Sequence, residues 1–196
     1  MSYVGIILTF VFVNNIVLTQ FLGLCPALGA TKHFESTIGV GLATTMVAAI
    51  TALLAWALDH FVLLPLGVGF LQLIAFVLAG AVTARGLDRL LRTASRTLYA
   101  AVGLYLPMVT ANCAVLGVAL IAVRASYDLI ESLVAGAAAG VGTLVALLLL
   151  SSIRLKLESE WVPPALRGLP ITLISAGLMS LAFMAFDRLV LQGRAG

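Results

Sequence analysis

The sequence predicts an all-α integral membrane protein: six transmembrane helices in one membrane domain, residues 1–196, arranged as two inverted three-helix repeats. Three observations lead there. Of the 196 residues, 62% are apolar and 10% charged, against roughly 45 to 50% and about 25% in soluble domains. That balance excludes a soluble globule and a disordered segment. The charges are also segregated, leaving six long stretches without Asp, Glu, Lys, Arg or His. Finally, the basic residues between the stretches are unequally divided between the two sides and densest midway along the chain.

In order, the stretches are Met1 to Thr31, Ser36 to Leu58, Phe61 to Ala84, Thr97 to Val123, Ser132 to Ile153 and Gly168 to Phe186. Each reaches the roughly 18 to 20 residues that a helix rising about 1.5 Å per residue needs to cross about 30 Å of hydrocarbon. A transmembrane barrel would instead alternate polar and apolar residues over about 10 positions. The first stretch is expected to be a membrane helix and not a cleaved signal peptide. No basic residue precedes it, and it is about twice as long as the apolar region of such a peptide.

The connections set the orientation. One side receives Lys32, Arg85, Arg89, Arg92, Arg96, Arg154, Lys156 and Arg167; the other receives Arg124, Arg188 and Arg194. The richer side is expected in the cytoplasm, with both termini outside, periplasmic in a bacterium. The group from Arg85 to Arg96 is read as the middle connection, dividing repeat one (about 1–90) from repeat two (about 91–196). Two three-helix units in tandem must enter the membrane in opposite senses. A short internal match supports them: Cys25-Pro-Ala-Leu-Gly29 and Cys113-Ala-Val-Leu-Gly117 both read C-x-x-L-G, 88 positions apart. No dense basic patch is present, so no nucleic-acid partner is predicted.

Polar and helix-breaking residues gather in the first and fourth helices. Asn14, Asn15, Thr19 and Gln20 precede Cys25; Pro107, Thr110 and Asn112 precede Cys113. Amides in hydrocarbon need protein, water or a ligand as partner, and bonds between helices would serve as well as a site. Pro26, Pro107, Gly23, Gly29, Gly103 and Gly117 predict that these two helices are interrupted near Cys25 and Cys113. Interrupted helices at matching points of inverted halves point to a binding site near the midplane. The cysteines themselves admit three readings: small apolar fillers, a disulfide, which would need an oxidising face that the uncharged flanks do not provide, or metal ligands. As ligands they are incomplete, because common iron–sulfur clusters take four thiolates. Two more would have to come from another chain.

The segments VNNIVLTQFLGLCP (Val13 to Pro26), GLATT (Gly41 to Thr45), NCAVLGVAL (Asn112 to Leu120), VPPALRG (Val162 to Gly168) and LISAGLMSLAFM (Leu173 to Met184) resemble the RnfA/NqrE family, nearest to its RnfA branch. The resemblance runs over almost the whole chain, with a departure at Ala111, where the family pattern has threonine. It implies that the chain pairs with an RnfE-like inverted homologue and that the two share an intramembrane 2Fe-2S cluster. Cys25 and Cys113 would be this chain's ligands to its iron, flanked by Asn112, Gly23 and Gly117. It further implies an ion-translocating ferredoxin:NAD oxidoreductase complex in the bacterial inner membrane, with the other Rnf subunits (B, C, D and G) as further partners. Coupling would be to sodium or protons.

No catalytic residue is expected on this chain. It has no G-x-G-x-x-G dinucleotide fingerprint and no Walker A loop, and His33 and His60 stand outside any ligand-spaced cluster. Asn112 and backbone amides near the sulfurs would tune the cluster's potential, while Asn14 and Asn15 are read as packing or pathway residues. The competing class is an inverted-repeat secondary transporter for a small ion or solute. Such proteins often carry a charged residue in mid-membrane, whereas Asp59, Asp88, Asp128 and Asp187 all fall at the ends of stretches.

Overall fold

The computed structural model describes residues 3–13, 15–23, 34–66, 69–94, 109, 112–159, 163 and 168–194, and every element among them is helical. Helix α1 (Tyr3–Leu8) widens into a π-helical turn (Thr9–Val13), and Asn15 then starts the short α2 (Ile16–Thr19). Helix α3 (Phe34–Leu58) passes through a second wide turn (Asp59–Leu63) into α4 (Leu64–Leu66), and a 3-10 turn (Gly69–Leu71) leads into α5 (Gln72–Ala94). The second half contributes α6 (Cys113–Arg124), α7 (Leu129–Ser159) and α8 (Leu169–Arg194).

Local chemistry explains the breaks. Pro65 has no N–H for the carbonyl four residues before it, and its ring crowds that carbonyl. The backbone ahead of it loosens accordingly, with the Leu64 N–H donating back to the Asp59 carbonyl, five residues away. Hydroxyls inside the long helices bond their own preceding turns: Thr44 to the Val40 carbonyl and Thr45 to the Gly41 carbonyl, both at 2.8 Å. An apolar helix tolerates them for that reason.

The core is the seam between α3 and α7. A Cβ added at Gly41 would meet Leu144, one at Gly140 would meet the Thr45 backbone, and one at Gly136 would meet Ala48, Ala49 and Ala52. The Thr37 hydroxyl lies 3.5 Å from that of Ser151. Partners on α7 thus descend in number as those on α3 rise, and the two helices run antiparallel. Gly136 and Gly140 allow this close approach, because dispersion between small residues has to hold helices together where lipid is as apolar as leucine.

The six-span reading is met in part. Among the described residues, two helical segments are long and apolar enough to cross a membrane, Ser36–Leu63 and Leu129–Leu157, with shorter apolar helices at Cys113–Arg124 and Leu169–Ala185. Apolar side chains remain outside the core, including Phe70 at 81% exposure and Ile74, Leu78, Leu178 and Leu181 at more than 60%. Such a surface suits lipid or a protein neighbour, not water.

Two expectations are corrected. The basic group from Arg85 was read as a connection, yet α5 stays helical to Ala94 and carries Arg85, Arg89 and Arg92, the last paired with Asp88 at 3.1 Å. Likewise α7 continues past Ile153 to Ser159, with Arg154 buried on it. A charge marks where hydrocarbon ends, but the helical hydrogen bonds that stabilise the backbone continue into the interface, and long basic side chains lie along the apolar surface.

Candidate functional site

The site grows from a helix start. Asn112 has extended backbone angles (φ −74°, ψ 111°), and its Oδ1 accepts the Ala114 N–H at 3.0 Å. This is the N-cap arrangement for which asparagine is favoured. Cys113 is therefore the first helical residue of α6, at the end where unbonded amides carry partial positive charge. A helix thus starts at Cys113, beside one of the two expected interruptions, and another starts after Asn15; Cys25, Pro26, Gly29, Gly103 and Pro107, where the interruptions were expected, lie outside the described residues.

The first half of the chain closes over that helix start. After α2 the chain turns through Phe21 (φ 55°) to Gly23 (φ 97°), and the Gly23 N–H donates to Cys113 Sγ at 3.0 Å. Gly23 needs to be glycine on two grounds. Its φ lies where a side chain is strained, and a Cβ would stand 3.0 Å from the Ala114 Cβ and 3.2 Å from Asn112 Oδ1. One turn along α6, a Cβ on Gly117 would come within 3.2 Å of the Leu22 side chain. Gly117 thus lets the turn at Leu22 and Gly23 settle onto the helix.

Beside the sulfur lies a cavity of about 250 Å³ lined by Asn112, Cys113, Val115 and Leu116 of α6 and by Phe76, Val77 and Gly80 of α5. Of the residues singled out from the sequence, Gly23, Asn112, Cys113 and Gly117 come together, while Cys25 and Asn14 lie outside the described residues. Sequence reasoning missed Phe76, Val77 and Gly80. His60 is not part of this group; it stacks on Trp56 (5.3 Å, 8°) at the end of α3, and His33 lies outside the described residues. Among the described residues no three His, Cys, Asp or Glu side chains converge, so Cys113 is at most part of a larger ligand set.

Residues 3–190 match the family described as "Rnf-Nqr subunit, membrane protein". The chain belongs to the Rnf-Nqr family. Its relatives within that family include the A component of the Na(+)-translocating ferredoxin:NAD(+) oxidoreductase complex of Acetobacterium woodii, 43% identical over 187 residues, 95% of this chain and 97% of that protein. The A component of the ion-translocating oxidoreductase complex of Edwardsiella ictaluri is 45% identical over 189 residues, 96% and 98% of the two chains. The protein of the same name from Yersinia pseudotuberculosis is 47% identical over 180 residues, 92% and 93%. These Rnf-Nqr proteins match the present chain nearly end to end, and the resemblance drawn from its motifs is upheld.

Proposed function

We propose that this chain is the RnfA-type membrane component of an ion-translocating ferredoxin:NAD oxidoreductase and relays electrons through a 2Fe-2S cluster shared with an RnfE-like inverted homologue. The names of the relatives support the complex. The single observation that carries the relay is the 3.0 Å hydrogen bond from the Gly23 N–H to Cys113 Sγ. It joins the segment leading to one cysteine to the sulfur of the other. Cys25 follows Gly23 by two residues in the chain.

The residues present fit such a group. Two thiolates are half of a four-sulfur set, and a partner of matching layout supplies the other half. Bound between them, the cluster supplies one-electron transfer inside the membrane. The protein's part is to hold and shield it. Cys25 and Cys113 ligate iron. The Gly23 N–H and the first-turn amides of α6 offset negative charge at the sulfurs. Phe76, Val115 and Leu116 keep the neighbouring space apolar.

The larger arrangement follows from the same reading: six spans in two inverted repeats, termini on the outer face of the bacterial inner membrane, and the remaining Rnf subunits (B, C, D and G) completing the electron path. The test is iron, labile sulfide and the electron paramagnetic resonance (EPR) signal of the reduced complex, purified anaerobically. The wild-type complex is expected to show a 2Fe-2S signal that Cys25→Ser and Cys113→Ser each abolish. A signal unchanged in both variants overturns the assignment and leaves a structural or transport role.

A further inference from the structure

Asn112 is 3% exposed, and only one end of its carboxamide is used. Because Oδ1 accepts the Ala114 N–H, and an NH2 group cannot accept from an N–H, the bond fixes which end of the amide is oxygen. Nδ2 is left over. Among the described residues it has no acceptor within hydrogen-bonding distance, although leaving a buried donor without a partner is unfavourable. Asn112 and Cys113 line the same cavity, whose other lining residues, Phe76, Val77, Gly80, Val115 and Leu116, bring apolar side chains or none. The amide is held by its cap and buried next to Cys113, with both N–H groups of Nδ2 uncommitted among the described residues.

We infer that Asn112 sets the reduction potential of the iron–sulfur group at Cys113, its Nδ2 donating a hydrogen bond to a sulfur held there. This rests on the function proposed above. A donor stabilises the reduced state, which carries one more negative charge, more than the oxidised state. Removing it therefore lowers the potential. The cap and the donor are separable, because serine and aspartate both cap helices through an oxygen. Asp offers no N–H, and a serine hydroxyl ends one bond short of Nδ2.

The experiment is an EPR-monitored redox titration of the anaerobically purified complex. At the potential where the wild type is half reduced, Asn112→Asp is expected to lower the reduced-to-oxidised ratio about tenfold, about 59 mV for a one-electron couple. Asn112→Ser is expected to lower it severalfold, and both are expected to keep the wild-type iron content. Asn15→Asp, at the other capping asparagine, is the charge control and leaves the potential in place. Unmoved potentials in both Asn112 variants overturn the inference, as does an equal shift in Asn15→Asp. If both Asn112 variants lose the cluster, the wild type decides. With asparagine side chains labelled with nitrogen-15, pulsed EPR is expected to detect a nitrogen coupling to the reduced cluster, and its absence overturns the inference. A wild-type complex with no 2Fe-2S signal defeats the proposed function itself, whereas a signal with unmoved potentials defeats only the role of Asn112.

Discussion

Asn15 and Asn112 are two asparagines in nearly one geometry with different uses. Both are buried, both have extended backbone angles (φ −68° and −74°, ψ 105° and 111°), and both accept an N–H two residues on, at 3.2 and 3.0 Å. They part at the amide nitrogen. That of Asn15 donates to the Gly142 carbonyl at 2.9 Å and to the Val11 carbonyl at 3.3 Å, pinning the broken first helix to α7. That of Asn112 has no acceptor among the described residues. The cap alone therefore says nothing of function. The difference lies in whether the rest of the side chain is already committed, and the uncommitted one sits next to a cysteine.

The sharpest way to break this comparison is to act on the sulfur. Cys113→Ser removes a proposed ligand while sparing the Asn15 side, and iron and sulfide are expected to fall to background in metal analysis of the purified complex. Next comes the Asn15 side. A Cβ on Gly142 would stand 2.8 Å from the Phe10 carbonyl oxygen, so Gly142→Val is expected to cost about 3 kcal/mol by overpacking. A clear drop in the thermal midpoint in detergent checks it. Gly23→Ala should cost about 2 kcal/mol through its left-handed backbone, and it should also weaken iron retention, which Gly142→Val should affect only through unfolding.

The comparison sharpens with alanine at each cap. Asn15→Ala loses the cap and the bond to Gly142, about 2 kcal/mol together. In protein stripped of iron, Asn112→Ala loses its cap but also removes an unsatisfied donor, and is expected to cost less than about 1 kcal/mol. Equal losses at the two positions in thermal melts would erase the distinction. The smallest effect is expected away from both: Thr51→Val deletes the 2.8 Å bond to Thr83 between α3 and α5 and should cost about 0.6 kcal/mol.

Much of the helical layout was legible because a bilayer imposes one length on whatever crosses it. The stretches from Ser36 and Ser132 fall within α3 and α7 for that reason. The ends of α5 and α7 were not legible, since Arg85 and Arg154 mark a change of solvent and not the end of backbone hydrogen bonding. The helix start after Asn15 was not legible, because Asn15 was read as a packing or pathway residue and the breaks were expected from the prolines and glycines near the cysteines. The matching caps are 97 positions apart, against 88 for the cysteine motifs. At the site, Gly23, Asn112 and Gly117 could be picked out by closeness to cysteines in the chain. Phe76, Val77 and Gly80 could not, because they reach Cys113 only through the packing of α5 on α6, which leaves no local signature.

The glycines of α7 carry a mechanical consequence. Even a methyl group at Gly136 or Gly140 would collide with the facing helix, so nothing larger than hydrogen separates the two backbones at these points. The first and second halves of the chain therefore meet there at backbone distance, and a side chain added to either glycine would have to push α3 and α7 apart.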